Sequence, residues 1–499
     1  MRHPIQLLLA LALATACTGG SVATSRPAPA PAPASRTVAI LHINDVYEIT
    51  PGEGGAAGGL ARVAGLRATL RERFPGLVTT LGGDYHSPSA MGLAVVDGQR
   101  LAGRQMVDVL NQVGVDLAVL GNHEFDIRED EFRARLAEAR FRILTSTVTD
   151  SAGRLFPGTL PRIVRTVPTA SGPVRLGFFG VTLDDNRPAW VRFEDPIAAA
   201  RREVALLRDS ADVIIALTHQ TLAEDQLLLE DVPGIAALFG GHEHENYLLR
   251  RGRSFTPIIK ADANARTVAL ATIALDSAAP RVDVTLLPIG RATPTDAATE
   301  TRVQQWVARA DSAFTRDGLE PRAVVTTLPE PLDGREATVR VREGNLSALI
   351  AEALRREVPD AEVGLMNGGL IRIDDVVPAG PVLQYDVIRV LPFGGKIVRT
   401  TMTGALLERV LEQGIANRGS GGFLHADGAR KVGDRWLVAG EPIDPVRRYV
   451  VATNDFLLTG REKGLDYLAP TNAALGPITP FRDIRLVVIR EMQRRYGAR

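Results

Sequence analysis

Cysteine, lysine and aromatic residues are scarce in this chain of 499 residues. The only cysteine is Cys17, so an internal disulfide is excluded. Lysine and arginine together number 58, and so do aspartate and glutamate, which gives a formal net charge of zero. This balance argues against nucleic acid or an anionic membrane surface as the main partner. After the first residues, no apolar run is long enough for a transmembrane helix.

The amino-terminal residues are typical of an export signal. Arg2 precedes the apolar run 7–13, which is too short to span a bilayer as a helix and ends in small residues before Cys17. Residues 1–17 resemble a bacterial lipoprotein signal in which Cys17 is acylated. Ala14 is less usual at its position than leucine, so simple secretion with cleavage nearby stays open. Residues 18–35 contain "RPAPAPAPAS", which predicts an extended tether.

From Arg36 onward, predicted strands alternate with predicted helices, and this alternation is typical of an α/β layered fold. In the first region the apolar runs predict strands at 38–43, 77–81, 115–120, 174–181, 213–217, 257–260 and 267–275, and helices at 58–74, 105–112 and 129–139. Over 281–295 the pattern breaks into short strands and a proline-bearing loop. In the second region we predict a helix at 346–356, a strand ending at Met366, a strand at 388–391 and a helix at 404–412.

An isolated helix predicted at 298–314 lies between these two regions. We therefore expect one domain over 36–295, a linker helix within 296–320 and a second domain over 321–499. The chain shows no internal repeat, and the tether is its only low-complexity stretch.

Five apolar runs in the first region stop at polar side chains that can bind metal ions. In chain order these side chains are Asp45, Asp84, Asn122 with His123 and Asp126, His219, and His242 with His244. Each motif alone is a weak signal, because a Gly-Asp pair is usually a turn and a single histidine is usually packed in a core. In open α/β sheets, however, ligands bind beyond the carboxyl ends of the strands. The ordered set therefore predicts one metal site at the sheet edge.

This ordered set resembles the calcineurin-like metallophosphoesterases, and among them the exported 5′-nucleotidase/UDP-sugar hydrolase family. That family carries Asp-x-His, Gly-Asp, Gly-Asn-His-Glu, a lone His and Gly-His-x-His in this order. The resemblance covers almost all of the mature chain. It implies an α/β protein with an amino-terminal four-layer αββα sandwich, followed by a carboxy-terminal α/β nucleotidase domain that holds the nucleoside.

The resemblance also implies two divalent metal ions that share Asp84. One ion would be completed by Asn122, His219 and His242, and the other by Asp45 and His244. Such mixed oxygen and nitrogen donors suit Mn, Zn, Fe or Co better than Ca or Cu(I). Two ions about 3.5–4 Å apart can deprotonate a water and stabilise charge on both the attacking and the leaving oxygen.

The family pattern assigns the catalytic side chains to the segment after Asn122. His123, oriented by Asp126, would stabilise the transition state and help the leaving oxygen depart. The expected reaction is hydrolysis by a metal-bound hydroxide, without a covalent enzyme intermediate.

Tyr47 departs from the family pattern, which has a histidine ligand at this position. The phenol could bind the ion as a phenolate, for which Fe(III) is the obvious partner. Alternatively, Tyr47 only packs or hydrogen-bonds and leaves that ion one ligand short, which is the interpretation we favour. In a third interpretation His86, in "GGDYHSPS", takes the place of the missing histidine.

The second region carries residues that match the family's nucleotide-binding motifs. The motif "NGGLIR" supplies Asn367 and Arg372, and "VRVREGNL" supplies Arg340 for phosphate. Two aromatic residues that would stack on either side of a base are Phe393 in "LPFGG" and Phe456 in "TNDFLLTG". A ribose-binding acid follows in the family. Here we assign Asp466, with Glu462 as the alternative, because "GREKGLDY" is longer than the family segment.

We therefore expect an exported, lipid-anchored enzyme that releases phosphate from nucleoside 5′-monophosphates and contacts the membrane only through its anchor. Within enzymes the alternatives are 2′,3′-cyclic nucleotide phosphodiesterase, hydrolase of UDP-sugars or other pyrophosphates, and the sulfur-oxidising hydrolases that share the scaffold. A non-enzyme alternative is a nucleotide-binding lipoprotein whose metal site is impaired by Tyr47. We expect a small-molecule nucleotide as partner, no nucleic acid, a monomer, and a location in the periplasm or on the cell surface.

Overall fold

The computed structural model describes residues 36–277 and 279–497. The predicted signal, the tether and Cys17 lie outside the described residues. Across those two described ranges, no helix combines the length and the apolar character needed to cross a membrane.

Two β-sheets form the centre of the amino-terminal region. The first sheet has seven strands, and they lie in the spatial order Arg281–Pro288, Thr267–Ala274, Thr37–Ile43, Val78–Leu81, Leu117–Val119, Arg142–Leu144 and Thr159–Leu160. The second sheet has six, in the order Tyr247–Arg251, Thr256–Lys260, Ala237–Gly240, Val213–His219, Val174–Thr182 and Arg162–Val167. The inner strands of each sheet run parallel, so their carboxyl ends lie along one edge.

The side chains of each central strand alternate between two cores. Val38 and Ile40 point into the apolar layer between the sheets, whereas Ala39 and Leu41 pack on helices. Such alternation follows from the two-residue period of a strand, and burial on both faces explains the continuous apolar runs of the sequence.

Helices cover the outer face of each sheet, which completes the predicted four-layer αββα sandwich. The first sheet packs on Leu60–Arg73, Arg104–Val113, Glu129–Glu138 and Ala297–Arg316. The second sheet packs on Pro196–Leu207 and Leu222–Asp231. The α/β fold class predicted from the sequence is therefore confirmed.

The carboxy-terminal region is built on a five-stranded sheet in the order Leu424–Asp427, Val363–Asn367, Arg448–Asn454, Lys396–Thr403 and Thr479–Asp483. Helices lie on both faces of it: Asn345–Glu357 and Ile484–Tyr496 on one, Gly404–Ala416 on the other. Two shorter helices are Glu336–Val339 and Gln384–Val390.

The remaining strands of both regions form small sheets. In the amino-terminal region, Val95–Val96 pairs with Gln99–Arg100, and Val148–Asp150 pairs with Val191–Phe193. In the carboxy-terminal region, the pairs are Val324–Leu328 with Gly380–Leu383, Leu332–Asp333 with Val376–Val377, and Ala429–Val432 with Arg435–Val438, which also pairs with Glu441–Pro442.

Two sequence-based expectations about local structure are wrong. The strand expected at 388–391 is the last turn of helix Gln384–Val390. At the start of this helix the backbone N–H of Leu383 donates to Asp386 Oδ2 at 2.9 Å. The apolar residues of the helix are buried at helical spacing. In so short a segment this spacing is hard to distinguish from the continuous apolar run of a buried strand. The stretch expected as short strands contains one eight-residue strand, Arg281–Pro288. The helix expected at 298–314 is confirmed as Ala297–Arg316, and it packs against helices Leu60–Arg73 and Arg104–Val113. Its role as a linker between domains stays a prediction.

Candidate metal centre and active site

Metal-capable side chains converge at the carboxyl ends of the parallel strands. One ligand atom from each of Asp45, Asp84 and His219 lies within 4.8 Å of the other two, and all three residues are buried. Asp45 follows strand Thr37–Ile43, Asp84 follows Val78–Leu81, and His219 ends Val213–His219. The structure thus brings together three residues that lie far apart in the sequence.

The backbone at this edge adopts conformations that are costly for ordinary residues. Asp45, Asp84 and His242 have φ angles of 52°, 55° and 84°, in the left-handed region. Gly121 allows the turn before Asn122 to approach the cluster, because a Cβ atom there would lie 2.1 Å from Asp84 Oδ1. Strain that concentrates at one point of a well-packed fold is a mark of a functional site.

The hydrogen bonds of His219 leave one ring nitrogen facing the cluster. Its Nδ1 lies 2.7 Å from the carbonyl oxygen of Gly82, so Nδ1 carries the proton and donates. Its Nε2 lies 3.2 Å from Asn122 Oδ1 and 3.3 Å from Asp84 Oδ2. This is the orientation that a metal-binding histidine adopts when its other nitrogen is held by a carbonyl group.

The buried carboxylates of Asp45 and Asp84 dominate the electrostatics of the cluster. Burial by itself lowers the pKa of His219, but Asp84 outweighs burial and raises that pKa to about 10. Burial raises the pKa of Asp45. Two buried carboxylates whose ligand atoms lie within 4.8 Å of each other are stabilised by a cation, and the mixed oxygen and nitrogen donors suit a divalent metal ion. The residues therefore fit a divalent metal centre.

His242 and His244 both lie close to Asp45. The backbone N–H of His242 donates to the Asp45 carboxylate at 3.0 Å, and its ring lies edge-on to His219 with 5.4 Å between centroids. His244 Nε2 lies 3.9 Å from Asp45 Oδ1. Both histidines of the Gly-His-Glu-His segment thus border the same cluster.

Tyr47 lies inside the cluster. Its hydroxyl oxygen is 3.1 Å from Asp84 Oδ2 and 2.9 Å from His244 Nε2. Burial and the neighbouring carboxylates raise the pKa of the phenol well above its usual value. The side chain of His86 packs against Tyr85 and Phe132, and within the described residues neither of its buried ring nitrogens has a hydrogen-bond partner. The interpretation that His86 replaces the missing ligand stays a prediction.

His123 and Asp126 form a hydrogen-bonded pair at the edge of the cluster. His123 Nδ1 lies 2.7 Å from Asp126 Oδ2, so the carboxylate accepts a hydrogen bond from Nδ1–H. Burial lowers the pKa of His123, but Asp84 and Asp126 outweigh it and the net shift is upward. Asn186, which the sequence did not single out, donates to Asp126 Oδ1 at 2.6 Å and holds the carboxylate in place.

Glu124 is a second residue that the sequence analysis missed. Its fully buried carboxylate accepts the backbone N–H groups of Asp84, Tyr85, His86 and Gly121. Glu124 therefore ties the loop that carries Asp84 to the turn that carries Asn122. Its place in "GNHE" is the one signal that could have pointed to it.

A cavity of about 530 Å³ lies between Asp126 and the carboxy-terminal region. Its walls include Asn367, Arg372, Phe393, Phe456 and Glu462. The two phenylalanines are unusually exposed for their size, at 51% and 40%. Asn367 Nδ2 donates to Glu462 Oε2 at 2.9 Å. Asp466 is exposed and does not line this cavity, so the structure places Glu462 there in its stead.

Two arginines lie near each other beside the site: Arg372 lines the cavity, and the charges of Arg372 and Tyr47 act on Arg340. The Nε atoms of Arg340 and Arg372 are buried and have no hydrogen-bond partner within the described part of the chain. Arg340 pairs with Glu336, and burial lowers the pKa of its guanidinium despite that partner. Buried donors without a partner are costly, and an anionic group between the two arginines would satisfy them.

Comparison with known families agrees with this geometry. Residues 38–246 match the family model of the calcineurin-like phosphoesterases, and the protein is a phosphoesterase hydrolase of that class. Residues 324–469 match the model described as 5′-nucleotidase, C-terminal domain. The chain therefore belongs to the 5′-nucleotidase-like calcineurin-like metallophosphoesterases, as its motifs predicted.

Similar proteins cover both regions. The chain is 26% identical to the 5′-nucleotidase of Homo sapiens over 459 residues, which are 80% of this chain and 77% of that protein. It is 24% identical to Protein UshA of Yersinia enterocolitica over 485 residues, 85% of each. The crystal structure of a 5′-nucleotidase precursor from Thermus thermophilus has a TM-score of 0.74 at 23% identity and covers 92% of this chain and 97% of that chain. That likeness establishes the fold.

Proposed function

We propose that this protein hydrolyses nucleoside 5′-monophosphates to nucleoside and phosphate. The observation that carries the proposal is the shared cavity: the exposed pair Phe393 and Phe456 opens into the same space as Asp126 of the His123–Asp126 pair. A base stacked between the aromatic rings would place its 5′-phosphate towards the metal cluster. Stacking tolerates any base, so we expect activity on several nucleotides.

Each residue around this space has a separate task in the proposal. Two divalent ions, held by Asp45, Asp84, Asn122, His219, His242 and His244, would supply an activated water and neutralise phosphate charge. Arg340 and Arg372 donate their unpaired Nε–H groups to the phosphate oxygens. Arg372 also lies over the Phe393 ring, with its guanidinium carbon 5.7 Å from the centroid, so it connects the phosphate and base subsites.

His123 acts as the proton donor in this proposal. In the imidazolium form, which Asp84 and Asp126 favour by raising the pKa of His123, both ring nitrogens carry a proton. Asp126 accepts the hydrogen bond from Nδ1–H, and Nε2–H donates its proton to the phosphoryl group or to the leaving 5′-oxygen, which leaves the ring neutral. Glu462 and Asn367 are hydrogen-bonded to each other on the cavity wall, and they offer acceptors and donors to the ribose hydroxyls.

We also propose that the protein is exported, lipid-anchored through Cys17 and monomeric. The apolar run 7–13 before Cys17 and the Pro/Ala-rich stretch 18–35 after it support the anchor. Mass spectrometry of the amino terminus of the membrane fraction tests it. A diacylated Cys17 is expected, and a soluble protein cleaved elsewhere contradicts it.

Phosphate release from AMP by the purified protein with Mn²⁺ tests the proposed activity. The variants Asp84→Ala and His123→Ala should lose it, whereas Phe255→Ser, at an exposed phenylalanine that does not line this cavity, should keep it. Phe393→Ser should raise KM. Substrates with a 2′,3′-cyclic phosphate or a UDP-sugar serve as competitors in the panel. No release from any nucleoside monophosphate with Mn, Zn, Fe or Co would refute the proposal.

A further inference from the structure

Asp374 belongs to the carboxy-terminal region, yet its side chain bonds to a residue of the metal cluster. His244 Nδ1 donates a hydrogen bond to Asp374 Oδ2. The other carboxylate oxygen, Oδ1, accepts the backbone N–H of Glu336 at 2.7 Å. Asp374 follows the "NGGLIR" motif by two residues, in a segment to which the sequence analysis gave no role.

The backbone of Asp374 is strained in the conformation that makes this contact. Its φ angle is 39°, in the left-handed region that side-chain-bearing residues rarely adopt. The neighbouring residues Ile371 and Ile373 are buried at 1% and 7% exposure, so the packing of the segment holds Asp374 in place. A strained backbone conformation that is held in place by the surrounding packing is common at functional sites.

The contact determines which nitrogen of His244 can bind a metal ion. A carboxylate only accepts, so the proton of the ring lies on Nδ1 and the lone pair on Nε2. Nε2 lies 2.9 Å from the Tyr47 hydroxyl and 3.9 Å from Asp45 Oδ1, and therefore faces the cluster. A carboxylate behind a metal-binding histidine generally fixes the ring orientation and raises the basicity of the ligand.

We propose that Asp374 is a positioning residue for the metal centre, by which the carboxy-terminal region orients His244 and strengthens the metal site that His244 shares with Asp45. The proposal rests on the proposed metal assignment and deepens it. His219, in contrast, is oriented by the Gly82 carbonyl oxygen of its own region. The two metal sites thus depend on different supports, and loss of Asp374 weakens only one of them.

Titration of the metal-free protein with Mn²⁺, followed by electron paramagnetic resonance of the free ion, measures both sites without turnover. The variant Asp374→Gly tolerates the left-handed φ and removes the carboxylate. Asp374→Asn keeps the shape of the side chain and removes its charge. The matched control is Asp375→Asn, at the adjacent carboxylate, which lies 3.6 Å from Arg266 and does not contact His244.

We expect one of two Mn²⁺ sites to weaken by about 10–100-fold in Asp374→Gly, and by a smaller factor in Asp374→Asn, while the other site changes less than about twofold. Asp375→Asn should match the wild type at both sites. If circular dichroism shows that Asp374→Gly does not fold, the Mn²⁺ affinities of Asp374→Asn test the proposal instead. Unchanged affinities, an equal loss at both sites, or the same loss in Asp375→Asn would overturn the proposal. A wild type that binds two ions but does not hydrolyse AMP would refute the proposed function and leave this inference standing.

Discussion

Glu124 and Asp84 are joined by a buried hydrogen bond of 2.9 Å from the Asp84 backbone N–H to Glu124 Oε2. The same oxygen accepts the N–H of Gly121, and Oε1 accepts those of Tyr85 and His86 at 2.7 Å and 3.0 Å. One carboxylate therefore holds two loops that carry proposed metal ligands. Burial and the nearby Asp84 raise the pKa of Glu124 to about 7, so its ionised form is costly and depends on these four donors.

Replacement of Glu124 by glutamine should destabilise the metal-free protein. The amide nitrogen of glutamine would face two backbone N–H groups and cannot accept a hydrogen bond from either. Each buried donor left without an acceptor costs about 1–3 kcal/mol. We expect a loss of roughly 2–6 kcal/mol in the free energy of unfolding by urea. The control Glu129→Gln, at a partly buried glutamate paired with Arg133, should cost less than about 1 kcal/mol. Equal effects of the two substitutions would show that Glu124 has no special role.

The Asp126→Asn variant separates catalysis from metal binding. Asp126 contacts His123, Ser87 and Asn186, and none of these is a proposed ligand. We expect kcat on AMP to fall by roughly a hundredfold or more, because His123 loses the partner that orients it, while metal content stays the same. Ser87→Ala removes one hydroxyl donor to Asp126 and leaves the His123–Asp126 pair in place, so it should lower kcat only a few-fold. Loss of metal in Asp126→Asn would place Asp126 in the metal site and contradict this assignment.

Substitution of Tyr47 tests its role beside the metal site. If the phenol only hydrogen-bonds, Tyr47→His adds a nitrogen ligand and tightens binding of the more weakly held Mn²⁺ ion by about tenfold, or roughly 1.4 kcal/mol. Tyr47→Phe, which removes only the hydroxyl group, should change that affinity little. Isothermal titration calorimetry measures both variants. A large loss of affinity in Tyr47→Phe would instead identify the phenol oxygen as a ligand.

Lys260, one of only four lysines, is fully buried and supports the Gly-His-Glu-His segment. Its Nζ lies 2.9 Å from Asp225 Oδ2 and also pairs with Glu243, the residue between His242 and His244. Lys260→Met leaves the Asp225 carboxylate buried without a cation, and we expect a loss of about 3–5 kcal/mol in unfolding free energy near pH 7.5. Lys431→Met, at a partly exposed lysine paired with Glu412, should cost at most about 1 kcal/mol.

The cost of Lys260→Met should shrink as the pH falls. Burial raises the pKa of Asp225 to about 6 even with Lys260 present, and removal of the ammonium group raises it further. A carboxyl whose folded-state pKa lies above its unfolded value is stabilised in its protonated form, so acid relieves the buried charge. Urea unfolding at about pH 7.5 and about pH 5 measures the difference between variant and wild type. A difference that grows towards pH 5 would contradict this explanation.

The sequence could predict the parts of the site that follow buried strands. Asp45, Asp84 and His219 each end an apolar run, and parallel strands bring such ends to one edge of a sheet. The alternation of apolar runs and amphipathic stretches likewise predicted most elements of the sandwich. Both signals are local, so a single sequence contains them.

Contacts between distant segments could not be predicted. Asp374 lies 130 positions from His244, and nothing in the spacing of either residue indicates that they meet. Glu462 and Asp466 are equally plausible in a loop of unusual length, and only the fold places Glu462 beside Asn367. The end of helix Gln384–Val390 resembles a strand in its sequence, because seven residues are too few to distinguish the helical period of 3.6 from the strand period of two.

Metal analysis of the purified protein after equilibration with Mn²⁺ and dialysis tests the central claim most directly. The account predicts two ions per chain in the wild type, and loss of both in Asp84→Ala, because the shared carboxylate belongs to both sites. Fewer than one ion per wild-type chain, or two ions retained in Asp84→Ala, would contradict it.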